Sequence, residues 1–240
     1  MATQDTDKAE NQGDRWTFVA VLPESRLIHM THISERTLAQ AQVFVAEIKE
    51  KSDGQAPIFY SDCGFYEQAL KDNYCTYQDV PYSGRGRPAH PKQVIDKNLS
   101  YVQVNKKRNN KGKIEKISTR IILGDETKIL AVFHQANRCK TVNTDYVKSR
   151  NGKYRKDDAR LIRKTLCHSK NAVFHDAHIK FLTQVFNYTR SVDTLKVLQY
   201  PEAKKFEPKY QHRTPAMAEK IIDRLLILKE LLCMRPKPSS

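Results

Sequence analysis

Val142 to Lys170, VNTDYVKSRNGKYRKDDARLIRKTLCHSK, is the stretch that the rest of the chain has to accommodate. It reads as one long basic helix. Asn143 and Thr144 offer an N-cap. Val147, Tyr154, Leu161 and Ile162 recur at helical spacing and predict a buried stripe. Lys148, Asn151 and Arg155, at i, i+3 and i+7, line up along another side. Arg150, Arg160, Arg163 and Lys164 add cationic density. Such a helix either lies against a phosphate backbone or carries polar groups into an active site.

Charge narrows the choice of partner. The 240 residues contain 42 Lys plus Arg against 27 Asp plus Glu, a net charge of +15 and a pI near 9.6. The cations are clustered, which favours a polyanion, nucleic acid before a membrane surface. Five cysteines (Cys63, Cys75, Cys139, Cys167 and Cys233) show no CxxC spacing, so neither a disulfide framework nor a zinc ribbon is indicated. A reducing, cytoplasmic setting fits that usage. No apolar run reaches membrane-spanning length, and MATQDTDKAENQGDR has no apolar signal core.

From the N-terminus, residues 1–15 are polar and read as a disordered linker remnant. Trp16–Leu22 and Leu27–His32 predict a hairpin around Pro23–Arg26. Ser34–Lys51 predicts a helix, with Thr37 and Gln40 as a capping-box pattern and Leu38, Ala41, Val45 and Ile48 on one face. Asp53-Gly54 ends it. Pro57–Asp62 is a short apolar strand closing on an acid, followed by a helix from about Phe65 to Asn73. A carboxylate at such a strand's C-terminal end stands where α/β proteins gather ligands and metals, although an Asp there is more often a plain helix cap.

SGRGRPAHP, Ser83 to Pro91, is an irregular loop that exposes Arg85 and Arg87. Leu99–Val104 and Ile117–Leu123 predict two strands joined by a cationic turn containing Lys106, Lys107 and Arg108. That turn is either a phosphate-contacting hairpin or a charged tip that keeps an edge soluble. Asn171–Thr189 predicts a helix with Val173, Ala177, Phe181 and Val185 inward. Pro201–Arg213 reads as a polar linker. Thr214-Pro215 opens a terminal helix with Ile221, Leu225, Leu228 and Leu232 as its stripe. Cys167, His168, His175 and His178 fit no standard zinc spacing, and ordinary packing roles suit them better. Tyr60, Phe65, Tyr66, Tyr146 and Tyr154 could stack on bases or pack the core.

Taken in order, DRWTFVAVLPESRLI, SERTLAQAQ, IFYSDCGFYEQAL, GRGRP, LSYVQVNKKR, VNTDYVKSRNGKYR, ARLIRKTLCHSK and TPAMA resemble the DDE transposases of the insertion-sequence-one type and their archaeal relatives. The resemblance runs from about Gly13 onward. It implies an α/β, ribonuclease-H-like core over residues 16–190, lacking its first strand, with a linker and C-terminal helical extension over 191–240. It further implies metal-dependent cleavage and strand transfer at transposon DNA ends, with Mg²⁺ or Mn²⁺ held by three carboxylates. Homodimerisation stays open.

By the same resemblance Asp62 matches the second acid and is the only metal ligand secured. Lys148 occupies the place of the family's glutamate, and Asn151 and Arg155 match the residues after it. The first acid would lie upstream of the hairpin, where this chain offers only a polar stretch. The expectation is therefore a DNA-binding relative that cuts poorly or not at all, or a non-enzymatic, repressor-like remnant.

Overall fold

A computed structural model describes residues 16–81, 90–135, 144–162, 167, 169–204 and 206–234. The N-terminal stretch 1–15, Arg85, Arg87, Cys139, Asn143, Arg163, Lys164, His168 and the tail 235–240 lie outside the described residues. The strands are β1 (Trp16–Val21), β2 (Ile28–Ser34), β3 (Ile58–Ser61), β4 (Cys75–Gln78), β5 (Lys92–Ile95), β6 (Ser100–Arg108), β7 (Ile114–Leu123), β8 (Val197–Leu198) and β9 (Tyr210–Gln211). The helices are α1 (Leu38–Lys51), α2 (Phe65–Asn73), α3 (Glu126–Gln135), α4 (Asp145–Asp157), α5 (Ala172–Thr189), α6 (Pro215–Ala218) and α7 (Leu228–Cys233). The protein is mixed α/β. It divides into two compact units, Met1–Ile33 with Tyr146–Ser240, and Ser34–Asp145. Residues after 190 thus belong with α4 and α5.

The central unit is built on the sheet β3-β6-β7, with β3 parallel to β6 and β6 antiparallel to β7. Thr37 caps α1 by accepting from the Gln40 N–H at 3.3 Å, and Ala41, Phe44, Val45 and Ile48 are buried. Leu38, predicted on that face, is 40% exposed because it stands in the first turn. Asp53 and Gly54, with φ of 50° and 77°, turn the chain out of the helix. Three polar clasps among the described residues hold α1 to α2: Gln42 Nε2 donates to Asp72 at 2.6 Å, Lys49 Nζ to the Asn73 carbonyl at 2.6 Å, and Asn73 Nδ2 to the Gln42 carbonyl at 3.1 Å. Tyr74, Leu99, Tyr101, Val102 and Val104 complete the apolar centre. The β4–β5 hairpin and α3 were not anticipated. Gly124, at φ 97°, follows β7 so closely to Ser100 that a Cβ would lie 2.5 Å from its hydroxyl oxygen.

The other unit assembles β1, β2, α4 and α5 around Ile28, Tyr154, Ile179 and Phe186. The hairpin is as the sequence predicts, turning through Arg26 at φ 62°. Asn171 caps α5 by accepting from the Val173 and Phe174 N–H groups. Its inward face is not Val173, Ala177, Phe181 and Val185: Val173 is 75% exposed and Phe181 38%. The buried positions are His175, Ile179, Thr183, Phe186 and Asn187. Polar side chains take core places here because each finds a partner. Thr183 Oγ1 shares a 2.6 Å hydrogen bond with the Tyr154 hydroxyl, and Asn187 accepts from Ile28 N–H and donates to its carbonyl.

The single helix predicted for 142–170 stops at Asp157. Asp158 adopts extended dihedrals and its carboxylate accepts from the Arg160 N–H at 3.0 Å, opening a 3-10 turn at Ala159–Leu161. Leu161 packs beside the core, but Ile162 is 49% exposed. The terminal helix is likewise interrupted. Thr214 caps it and Pro215 leads it as predicted, yet Lys220 turns left-handed (φ 59°) while the Ile221 N–H reaches back to the Ala216 carbonyl. Ile221, Leu225, Leu228 and Leu232 end up 40–64% exposed.

Burial of His175 carries a pH consequence. Desolvation holds its imidazole below the ordinary 6.5, against the pull of Asp158, while Ser169 Oγ lies 2.9 Å from Nδ1. Since the folded value is the lower one, its contribution to stability is full above pH 6.5 and is lost as pH falls through the folded value. Urea unfolding is expected to show the wild type losing stability between pH 7 and pH 5 faster than a His175→Gln variant, an ordering that identical slopes would refute.

Candidate nucleic-acid interface

Strand register decides which cations share a face. Pairing places Lys107 opposite Lys116, Asn105 opposite Ser118 and Gln103 opposite Arg120. These six therefore line one face of the β6–β7 ribbon. The alternate face carries Val102, Val104 and Lys106 opposite Ile121, Thr119 and Ile117. The first face is polar and exposed except for the half-buried Gln103. It contains two lysines directly opposed, and Glu115 lies 3.7 Å from Lys107. Like charges facing each other across strands are unfavourable, and a bridging anion relieves that repulsion. Lys116 and Arg120 were missed from sequence. Only the pairing register assigns them to the face of Lys107.

The remaining basic residues sort differently. Lys106 turns to the other face, where its side chain is 8% exposed and its ammonium lies 3.0 Å from Asp145 Oδ1. Arg108 donates from Nη1 to the Gly112 carbonyl at 2.8 Å and so shapes the turn. Arg150 is 4% exposed: its guanidinium stacks 3.9 Å from the Phe186 ring and 4.2 Å from that of Tyr154, with Asp157 3.7 Å away. It is a core cation, and burial lowers its pKa. It offers no charge to a phosphate at the surface. Lys148 and Arg155 are exposed on α4, with Asn151 half-buried on the same side, and Arg160 is exposed in the 3-10 turn.

Asp62 stands exposed just past β3, before α2. It lies at the carboxyl end of the parallel β3–β6 pair, the edge where α/β sheets gather ligands. A hydroxyl network adjoins it, and the charges of both Asp62 and Glu67 act on the Tyr101 phenol. Ser61 Oγ and the Tyr101 hydroxyl share a 2.8 Å hydrogen bond, and each reaches the Cys63 carbonyl at 3.2 Å. Arg36 Nη2 lies 3.8 Å from Cys63 Sγ. Burial, then the neighbouring Cys63, Tyr101 and Asp62, push the Tyr66 phenol far above its usual range, so it stays protonated. Among the described residues no group of three His, Cys, Asp or Glu side chains could hold a metal ion. Asp62 and Glu67 near Tyr101, among hydroxyls, a thiol and an arginine, fall short of the three carboxylates that the resemblance calls for to hold paired Mg²⁺ or Mn²⁺ ions. Asp62 belongs to the central unit, whereas Lys148, Asn151 and Arg155 belong to the other.

His178 Nε2 lies 2.9 Å from Asp158, which accounts for that histidine as a packing contact. Tyr154 is buried in the core, while Tyr146 lies under the Arg26 guanidinium at 3.4 Å. Phe65 and Tyr66 pack on each other at 5.2 Å. No described helix is long and apolar enough to cross a membrane. No family model, no curated protein and no solved structure matches the chain.

Proposed function

We propose that this is a DNA-binding protein related to the insertion-sequence-one type of DDE transposases, with a ribonuclease-H-like core, that engages duplex DNA but is defective in cutting it. The observation that carries the binding reading is the face of Lys107, Lys116 and Arg120 on the β6–β7 ribbon, in a chain of net charge +15. Opposed lysines flanked by Asn105 and Ser118 suit a phosphate backbone: cations neutralise it and short polar groups hydrogen-bond it.

Two observations favour binding without cleavage. Among the described residues no three acids gather near Asp62, and a lysine, Lys148, stands where the resemblance expects a glutamate. Transposon ends as the target, and divalent ions as the cofactor, rest on the sequence resemblance alone.

Titration of a labelled duplex at several salt concentrations, with a plasmid-nicking assay in Mg²⁺ or Mn²⁺ alongside, tests the proposal. Affinity is expected to fall steeply with salt, by roughly 0.9 log units per log unit of salt for each phosphate neutralised. Nicking is expected to be absent, and Lys148→Glu alone is not expected to create it. Binding indifferent to salt would overturn the interface, and nicking by the unaltered protein would overturn the catalytic defect.

A further inference from the structure

Pro201–Arg213 reads as a linker in the sequence, yet residues 196–204 and 206–211 form a hydrogen-bonded arm. Asp193–Leu195 forms a 3-10 turn with Leu195 1% exposed, and Arg213 Nε donates to the Leu195 carbonyl at 2.8 Å. The Val192 N–H is bound to the Arg213 carbonyl at 3.0 Å, so the two stems are clamped together. Val197 then pairs with Gln211 and Leu198 with Tyr210. The Gln199 and Tyr200 N–H groups both donate to the Lys209 carbonyl, at 3.0 and 3.1 Å. At the tip, the Glu207 N–H donates to the Lys204 carbonyl, and the Lys204 N–H donates to the Glu207 carboxylate at 2.9 Å.

This order is spent on holding apolar rings in solvent. Phe206 is 95% exposed, Tyr200 55% and Tyr210 44%. Burying any one of them would be favourable, yet the hydrogen-bonded backbone keeps them out. Lysines alternate with the rings: Lys196, Lys204 and Lys209 are all exposed. The Lys196 ammonium lies 4.7 Å from the Tyr210 ring, so that ring already has a cation over it. Tyr200 and Phe206 remain as platforms. Beside Tyr200, an open hollow of about 540 Å³ is lined by Tyr200, Pro201, Glu202, Ala203, Glu207 and Pro208. Flat apolar walls, carboxylates able to accept from base amino groups, and lysines spaced along the ribbon match the features of an unpaired nucleotide.

We propose that this arm binds single-stranded nucleic acid, stacking bases on Tyr200 and Phe206 while Lys204 and Lys209 meet the phosphates. The inference rests on the nucleic-acid reading above but on a different ribbon. The β6–β7 face would hold duplex, and the arm a frayed or displaced strand.

The test uses the full chain and three labelled probes of one sequence: a 12-nucleotide single-stranded DNA, the same strand as RNA, and the DNA duplex. Fluorescence anisotropy compares the wild type with a Tyr200→Ala/Phe206→Ala variant, and with Tyr200→Trp/Phe206→Trp as the stacking-competent control. The alanine variant is expected to lose about tenfold or more in affinity for one or both single strands. Duplex binding should stay within twofold, and the tryptophan variant should bind as the wild type does. Which single strand responds distinguishes DNA from RNA. Single-strand affinity untouched by the alanines overturns the arm's role. So does equal loss on duplex. Absence of salt-dependent duplex binding by both proteins would instead strike the preceding proposal alone.

Discussion

Replacing Asn187 with alanine is expected to lower the unfolding free energy by about 2–5 kcal/mol, the sum of two buried backbone groups left without partners. The side chain is 4% exposed and does the work of a neighbouring strand. Its carbonyl oxygen accepts from the Ile28 N–H at 3.0 Å, and its amide nitrogen donates to the Ile28 carbonyl at 2.9 Å. Ile28 is itself 2% exposed and sits in the cluster of Tyr154, Ile179 and Phe186, where water cannot replace the amide. Asn187→Asp should be nearly as damaging: the acceptor survives, but a carboxylate then faces the Ile28 carbonyl. Gln184→Ala, on the exposed side of the same helix, should cost within about 0.5 kcal/mol. Urea unfolding of the three variants checks the order, and a loss below 1 kcal/mol for Asn187→Ala would show that the site relaxes or hydrates.

Asn187 also illustrates what could be read in advance. Local signals are written over a few residues and were legible: the hairpin at Arg26, the Thr37 and Thr214 caps, and α2 from Phe65 to Asn73. The inward face of α5 was not, because a search for apolar periodicity discards His175, Thr183 and Asn187. Those residues are buried only because Ser169, Tyr154 and Ile28 are there to meet them. Each pairing depends on the finished tertiary structure rather than on the helix alone.

Arg150 makes the same point for charge. In the sequence it is one cation among many in a basic run. In the fold Phe186, 36 positions later, provides the ring that shields it. The same locality limits the candidate site. That Asp62 closes a strand was legible, whereas Tyr101 and Arg36, which meet the adjoining Ser61 and Cys63, come from distant parts of the chain. The basic character of 106–113 was equally plain, but which of its lysines share a face depends on a register set by β7.

That register makes the largest functional effect predictable. A triple substitution, Lys107→Gln, Lys116→Gln and Arg120→Gln, is expected to weaken duplex DNA binding by about two orders of magnitude near 0.1 M salt. It should also make the plot of log affinity against log salt shallower by roughly 2.7, three phosphates at 0.9 each. Removing one lysine of the opposed pair relieves repulsion in the free protein, so the fold should be no less stable. Two controls separate this face from general basicity. Lys106→Met removes a charge already paired with Asp145, and Arg150→Met removes one already enclosed by Phe186 and Tyr154. Both should leave the salt slope within experimental error of the wild type, even though each lowers the net charge as much as any one of the three. If all substitutions reduced the slope alike, DNA would be responding to total charge, and no particular face of the β6–β7 ribbon would be its site. If the triple variant kept the full slope, the phosphates would be met elsewhere, with Lys148, Arg155 and Arg160 on α4 and its following turn the next cations to remove.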